Sequence, residues 1–153
     1  MELTLKKNSW KRVRYFVPNE FDDPNYLDSG KNIDGALLYK LDELRHETGW
    51  PIVTHWEVGG CVDVGGTHGH SENSYHLITN GAKACDFHFL TNIDPRLQYR
   101  EVEKIGFFGI GIYYDWHWDD KLLPIGFHVD ERPKNKLQRW TRRNGQYFYL
   151  LGR

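Results

Sequence analysis

The segment IGFHVD at residues 125–130 predicts a β-strand, and it carries a histidine and an aspartate two positions apart. Outward from it, the segment FFGIGIYY at 107–114 predicts a second strand, which an aromatic, acidic loop separates from the first. Residues 82–90 and 51–58 predict two more strands. Because side chains two residues apart on a strand share a face, His128 and Asp130 are expected to point to the same side of a sheet.

Two helices and a terminal hairpin complete the predicted fold. Asp94-Pro95 is typical of a helix start, and that helix is expected to reach about Lys104. Asn144-Gly145 between two strand-like segments predicts a two-residue hairpin. An earlier helix is expected to end at Gly49, because the apolar residues before it have helical spacing, namely Ile33, Leu37, Leu38, Leu41 and Leu44. We therefore predict an α+β fold, with a small, mainly antiparallel sheet and flanking helices.

The composition limits the class of protein. The chain has 153 residues, which fits one domain over 1–153, and its formal net charge is -1. This charge gives no reason to expect a nucleic-acid partner, because phosphates are usually met by a basic surface. No apolar segment approaches the ~20 residues of a membrane span, and the start of the chain lacks the apolar core of a signal peptide. Cys61 and Cys85 are expected to be two reduced, partly buried thiols.

Eight histidines are the unusual feature of the composition. Histidine is a frequent metal ligand, and two histidines with one carboxylate satisfy a zinc site that keeps an open position. His76 follows a glycine-rich loop at 59–73, whereas Asp86 and His128 lie on predicted strands, so these three residues are candidate ligands. The two histidines of the loop are expected to be exposed to solvent. Other triplets remain open from composition alone, including His68, His70 and Asp63.

Three short motifs occur in an order that resembles one family of enzymes. They are SYH at 74–76, GAKACD at 81–86 and FHVD at 127–130. The chain resembles the zinc D-Ala-D-Ala carboxypeptidases and peptidoglycan endopeptidases, which share their fold with the amino-terminal signalling domain of Hedgehog. The likeness extends over about residues 16–140 and includes GIGIY at 109–113. It implies a Hedgehog/DD-peptidase-like fold for this chain.

The resemblance also implies a metal site. His76, Asp86 and His128 would bind one Zn²⁺ per chain, and Ser74 would lie near the substrate. Three roles are open for Asp130: it orients a ligand histidine, acts in catalysis, or forms a salt bridge with a nearby arginine such as Arg132.

The loop at 114–121 supplies two further candidates for moving a proton, His117 and Asp119. Three interpretations of this loop remain open. It is a wall of the active site, a surface loop anchored by Trp116 and Trp118, or a surface for a partner.

Three departures from the family pattern accompany the likeness. Nine residues separate His76 from Asp86 where the family usually has six, so a segment near 78–81 must loop out. The sequence THWEV at 54–58 stands where the family usually has an arginine that binds a substrate carboxylate. Ile125 stands where many members carry an acidic general base.

The sequence therefore predicts a monomeric zinc metallopeptidase that hydrolyses stem-peptide amide bonds of peptidoglycan, at a D-Ala-D-Ala or an L-Ala/D-Glu bond. We expect a bacteriophage endolysin or tail-associated hydrolase, which is made in the cytoplasm and acts on the cell wall after release. A host enzyme that is exported by a non-classical route is the other origin that stays open. Two alternatives stay open: a non-catalytic zinc-binding recognition or structural module of the same fold, and a phage structural protein without metal.

Overall fold

A six-stranded sheet forms the centre of the chain in the computed structural model, which describes residues 10–151. Its strands lie in the order β1-β2-β6-β3-β7-β8, and every neighbouring pair is antiparallel except β3 and β7, which are parallel. A separate two-stranded hairpin joins β4 and β5. The strands are β1 (Ile52–Thr54), β2 (Ala84–Phe89), β3 (Gly109–Tyr113), β4 (His117–Trp118), β5 (Lys121–Leu122), β6 (Gly126–Asp130), β7 (Gln138–Arg143) and β8 (Gln146–Leu151).

Two helices have capping residues, of which Gly49 and Asp94 were predicted from the sequence. The first, α1 (Gly35–Thr48), begins after Asp34, whose side chain caps the first turn, and ends at Gly49 with a φ of 71°. The second, α2 (Pro95–Ile105), begins after Asp94. The mainly antiparallel α+β architecture is thereby confirmed. Within residues 10–151, neither helix has the length and apolar character that crossing a bilayer requires.

The prediction of a strand over 51–58 was wrong in its second half. Only Ile52–Thr54 is a strand, and Trp56–Val58 forms a 3-10 turn. The backbone of His55 explains the change: its carbonyl accepts hydrogen bonds from Val58 N at 3.2 Å and Gly60 N at 2.9 Å, which turns the chain out of the sheet.

Alternating side chains give the sheet two chemically different faces. One face packs against the leucines of α1 in an apolar core, to which the sheet contributes Cys85, Phe87, Ile110, Ile112, Phe127 and Val129. The opposite face carries polar, aromatic and glycine residues, which the strand register places beside one another: Asp86, Gly109, Gly111, Tyr113, His128, Asp130, Trp140 and Arg142. The predicted metal ligands of the strands therefore lie on the face away from the apolar core.

One charged residue of the strands, Arg139, is buried at 8% exposure. Its guanidinium bonds twice to the carboxylate of Glu103 near the end of α2, at 2.8 Å each, and donates to the carbonyl oxygens of Phe107 and Phe108 at 3.0 and 3.1 Å. It thus satisfies backbone acceptors where the chain passes from helix to strand.

We expect Arg139→Ala to lower the free energy of unfolding by about 2–4 kcal/mol, because it removes charge-assisted bonds and leaves buried acceptors without a donor. Chemical denaturation measures the change. Arg100→Ala, at an exposed position of the same helix as Glu103, is the matched control and should change stability by less than ~0.5 kcal/mol. Equal losses in the two variants would contradict the role assigned to Arg139.

Candidate metal centre

Asp86 and His128 lie opposite each other on the neighbouring strands β2 and β6, and His76 meets them from the loop that precedes β2. Nδ1 of His128 is 2.9 Å from Oδ1 of Asp86. Nε2 of His76 is 3.3 Å from each of these two atoms. The three ligands predicted from the sequence therefore converge, and together they can hold a metal ion.

The backbone around His76 sets its position. The segment beside it pairs with Asp63, through hydrogen bonds from Asp63 N to His76 O at 3.0 Å and from Ile78 N to Asp63 O at 2.9 Å. Ser74 lines the cleft, and its hydroxyl accepts a bond from His76 N at 3.2 Å. The chain then makes a 3-10 turn at Ile78–Asn80, within the segment that was expected to loop out.

Both imidazoles are oriented by a partner on the nitrogen that faces away from the other ligands. Nδ1 of His76 lies 3.0 Å from the carbonyl oxygen of Cys61, and Nε2 of His128 lies 2.7 Å from Oδ2 of Asp130. A carbonyl and a carboxylate can only accept, so these nitrogens carry the protons. Nε2 of His76 and Nδ1 of His128 are left to bind a cation, as in metal sites whose histidines are held by a second residue.

The electrostatics of the site also favour a cation. Burial raises the pKa of Asp86, but the interactions with His76 and His128 lower this pKa by more than burial raises it. The pKa of Asp86 therefore lies well below its ordinary value. Burial likewise raises the pKa of Asp130, and bonds from Arg132 and His128 reverse the effect. Burial lowers the pKa of His128, yet its bonds to Asp130 and Asp86 raise it to about 9. Both carboxylates are therefore ionised at neutral pH, whereas His128 carries a second proton that a metal ion must displace from Nδ1.

Asp130 contacts the triad through the nitrogen of His128 that faces away from Asp86 and His76. It has no exposed surface, and its carboxylate bonds to His128 and, through two bonds of 2.8 Å, to the guanidinium of Arg132. One carboxylate thus combines two of the three roles that were open for Asp130, orienting the histidine His128 and pairing with Arg132. We therefore describe Asp130 as a positioning residue.

Glycines on β3 make room for these side chains. A Cβ at Gly109 would overlap the carboxylate of Asp130, and one at Gly111 would overlap the indole of Trp140. Gly109 pairs with Asp130 and Gly111 with His128 in the strand register. Because Gly109 and Gly111 of the GIGIY segment have no side chains, the side chains of Asp130 and Trp140 can lie directly over the backbone of β3.

The two histidines of the glycine-rich loop are partly buried, so the prediction that they are exposed was wrong. Nε2 of His68 bonds to Asp23 and Nδ1 of His70 bonds to Asp63, each at 2.8 Å. Both carboxylates are fully buried and attract the imidazoles inward. His70 stacks on the ring of His76, with centroids 4.2 Å apart, and lines the cleft.

Asp23, Asp63 and His68 form a second group whose donor atoms are close enough for a metal ion. The oxygens of both carboxylates already have partners, including the backbone N–H groups of Val64 and Gly66 at 2.8 Å each. We interpret this group as the contact that folds the glycine-rich loop against the rest of the chain.

The loop candidates lie outside the metal cleft, although the depression that His117 borders is also lined by Asp86 of the triad. Within the described part of the chain, neither His117 nor Asp119 lines the metal cleft; His117 is exposed and borders a neighbouring depression, and Asp119 occupies the β4–β5 turn at a φ of 49°. Trp116 stacks on Tyr113 with centroids 4.1 Å apart and lines the cleft, so it both anchors the loop and forms a wall.

Two further features of the sequence have structural partners. Nε2 of His55 is 2.8 Å from Nδ1 of His88, and the His55 ring stacks on Trp118. The thiols of Cys61 and Cys85 are free, fully buried and 3.6 Å apart. They are more deeply buried than was predicted.

A cleft of about 430 Å³ opens above the triad. The side chains of Asp86 and His128 keep 17% and 13% exposure, so the ligand set faces this space. Sequence reasoning named Arg132 only as a salt-bridge partner open to Asp130, and it missed other residues on the far side of the cleft, among them Trp140, Arg142 and Tyr147. Their only signal was the alternation within the predicted strands, which places them on one face without saying which face.

Comparisons of the chain with protein-family models, with curated proteins and with solved structures found no match. The chemistry of the triad and of its cleft therefore carries the functional conclusion.

We expect Gly109→Ala to weaken binding of a divalent metal by roughly 10–100-fold, because the added methyl group displaces the carboxylate that orients His128. The variant should also lose about 1–3 kcal/mol of stability through overpacking. Calorimetric titration with Zn²⁺ measures the affinity. Gly65→Ala is the control, since its Cβ meets no atom closer than 3.4 Å; an unchanged affinity in Gly109→Ala would refute the role assigned to Gly109.

The buried His55–His88 pair predicts acid sensitivity. Burial lowers the pKa of His55 to about 4; the charge of Asp86 opposes this shift and that of His88 adds to it. Burial lowers the pKa of His88 as well. The folded state therefore favours neutral imidazole, and the stability this contributes is present above the unfolded pKa of ~6.5 and is lost as pH falls from there towards about 4.

In denaturation measured across this pH range, His55→Gln should show a shallower loss of stability than the native chain, by up to about 1.4 kcal/mol per pH unit. The exposed His46 offers the control, because His46→Gln should keep the native slope. Identical slopes for the native chain and His55→Gln would rule out this source of acid sensitivity.

Proposed function

We propose that this chain is a zinc metallopeptidase that hydrolyses amide bonds in peptidoglycan stem peptides. The spacing of the triad is the observation that carries the proposal. Tetrahedral zinc with bonds of about 2.0–2.1 Å requires donor atoms about 3.3–3.4 Å apart. Two of the three donor separations in the triad are 3.3 Å and match this value. The third, the 2.9 Å hydrogen bond between Asp86 and His128, would open by about 0.4 Å around the ion.

The donor set favours zinc over harder cations. Ca²⁺ and Mg²⁺ prefer sites built from oxygen, whereas two imidazoles with one carboxylate are typical of hydrolytic zinc. When bound, zinc lowers the pKa of a coordinated water and polarises the carbonyl of the scissile amide. The cleft above the triad supports this chemistry, because a substrate needs access to the position that the three ligands leave open.

His70 is the residue of the cleft best suited to move a proton. Asp63 holds its Nδ1 at 2.8 Å, and this bond leaves Nε2 as the free nitrogen of the ring. Its stacking on His76 keeps it beside the triad. An imidazole held in this way can accept a proton at Nε2 from the attacking water and return it to the departing amine.

The substrate class rests on the resemblance of the SYH, GAKACD and FHVD segments to the peptidoglycan peptidases, with the matching order of ligands. The bond would be a D-Ala-D-Ala or an L-Ala/D-Glu amide, and the enzyme would act on the cell wall, as a phage lysis enzyme or a virion-associated hydrolase does. The Hedgehog/DD-peptidase-like fold belongs to the same proposal, which the mainly antiparallel sheet and the two helices support.

Two variants test the proposal on purified cell walls and on isolated stem peptides. His128→Ala should abolish both zinc binding and cleavage, because it removes a ligand. His70→Gln should keep about one zinc per chain but lower turnover by roughly 10²–10⁴-fold, because it removes only the proton carrier. Metal analysis and chromatography of the released peptides give the two measurements.

His46→Ala, at an exposed residue of α1, is the control and should retain zinc and activity. Zinc bound by the native chain without any cleavage would favour a non-catalytic zinc-binding module. A native chain without zinc affinity would contradict the metal assignment altogether.

A further inference from the structure

The metal cleft extends away from the triad towards the β7–β8 hairpin. A second depression, of about 290 Å³, shares four lining residues with the cleft, so the two are continuous: Tyr113, Arg132, Trp140 and Tyr147. Arg142 also lines the cleft, two residues after Trp140 on the same face of β7. The hairpin side of the cleft therefore brings together two guanidinium groups with aromatic rings.

Arg132 is held rigidly on this side. Its Nε and Nη2 bond to Asp130 at 2.8 Å each, and its guanidinium lies 5.3 Å from the Tyr75 ring centroid and 5.1 Å from that of Trp140. Asp130 in turn bonds to the ligand His128 at 2.7 Å. The guanidinium is thus only two hydrogen-bonded contacts from the triad.

Arg142 is fixed in the same manner by other partners. Its Nε bonds to Asp115 at 3.0 Å, its Nη1 donates to the hydroxyl of Tyr147 at 3.3 Å, and its guanidinium lies 4.9 Å from the Tyr113 ring centroid. The tie to Asp115 joins the hairpin to the loop that carries Trp116.

Each arginine keeps one terminal nitrogen without a protein acceptor. Among residues 10–151, no hydrogen bond is formed by Nη1 of Arg132 or Nη2 of Arg142. Neither nitrogen is a buried unsatisfied atom, so both are accessible to solvent. Guanidinium groups that are oriented, backed by aromatic rings and left with free N–H groups are well suited to bind a carboxylate.

We infer that Arg142 and Arg132 form an anion subsite that binds a free carboxylate of the peptide whose neighbouring amide lies at the metal triad. The inference rests on the proposed function, and it specifies the substrate as a peptide with a carboxylate close to the scissile bond. We assign the specificity to Arg142, because its contacts do not involve the triad. Arg132, by contrast, also supports His128 through Asp130. Tyr147 orients Arg142 through its hydroxyl.

The test uses the stem peptide L-Ala–D-γ-Glu–L-Lys–D-Ala–D-Ala and two amidated forms, one at its C-terminus and one at the glutamyl α-carboxylate. For the native chain, amidation of the recognised carboxylate should lower kcat/KM by roughly 10–100-fold, the loss expected for a hydrogen bond between charged groups. In Arg142→Gln the same amidation should change kcat/KM less than about threefold, because the two changes remove one interaction.

Arg142→Lys keeps the charge but loses the planar fork, so it should recover only part of the discrimination. Arg143→Gln is the matched control, because Arg143 lies over the Tyr114 ring outside the cleft and should keep the native response to amidation. Unfolding midpoints for all variants show whether the hairpin remains folded.

A binding experiment separates this inference from the proposed function. In chelator-treated protein, quenching of tryptophan fluorescence measures affinity for the peptide and its amides, since Trp140 contacts Arg132. Binding that depends on one carboxylate and on Arg142, without any cleavage by the zinc-loaded chain, would support the subsite and refute the peptidase. Cleavage with equal responses to amidation in the native chain and in Arg142→Gln would refute the subsite and keep the peptidase.

Discussion

The hydrogen-bonded pair of Asp86 and His128, 2.9 Å apart on two neighbouring strands, is the contact around which the polar face of the sheet is arranged. A half-buried carboxylate, Asp86, and a fully buried one, Asp130, lie on this face, and charges removed from water are tolerated only when they are paired and hydrogen-bonded. Asp86 finds its partners in His76 and His128, whereas Asp130 finds them in His128 and Arg132. Because each group depends on the next, the triad and its support form one network of charges.

This network requires the chemistry of the two sheet faces to differ. The phenylalanines and aliphatic residues of one face form the core with α1, and this packing fixes the strands rigidly. On the other face, glycines of β3 replace side chains, so the carboxylate of Asp130 and the indole of Trp140 can lie over the backbone. Ligands on rigid strands hold their geometry better than ligands on loops, which suits a site that must keep donor atoms at fixed separations.

The cleft has two walls of different origin. The glycine-rich loop forms one wall, and buried Asp63 fixes His70 there beside His76 of the triad. The β7–β8 hairpin forms the other wall and supplies Arg142. In the function we propose, the first wall moves protons and the second recognises charge on the substrate, so that catalysis and selectivity are divided between two segments far apart in the chain.

The sequence by itself determined the α+β class, one cap of each helix, at Gly49 and Asp94, and the three residues of the triad, because capping residues, alternation and short motifs are local signals. It did not determine that the strand at 51–58 would break after Thr54, since the turn there is held by hydrogen bonds from His55 N to Asp86 O and from Asp86 N to Gly60 O, which join it to a strand far along the chain. Only the tertiary structure decided the surroundings of the triad. The contacts of Asp130 with His128 and Arg132 were open from the sequence, because these residues are two positions apart. The stacking of His70 on His76 and the entry of Arg142 into the cleft depend instead on loop closure and strand register, which no local pattern encodes.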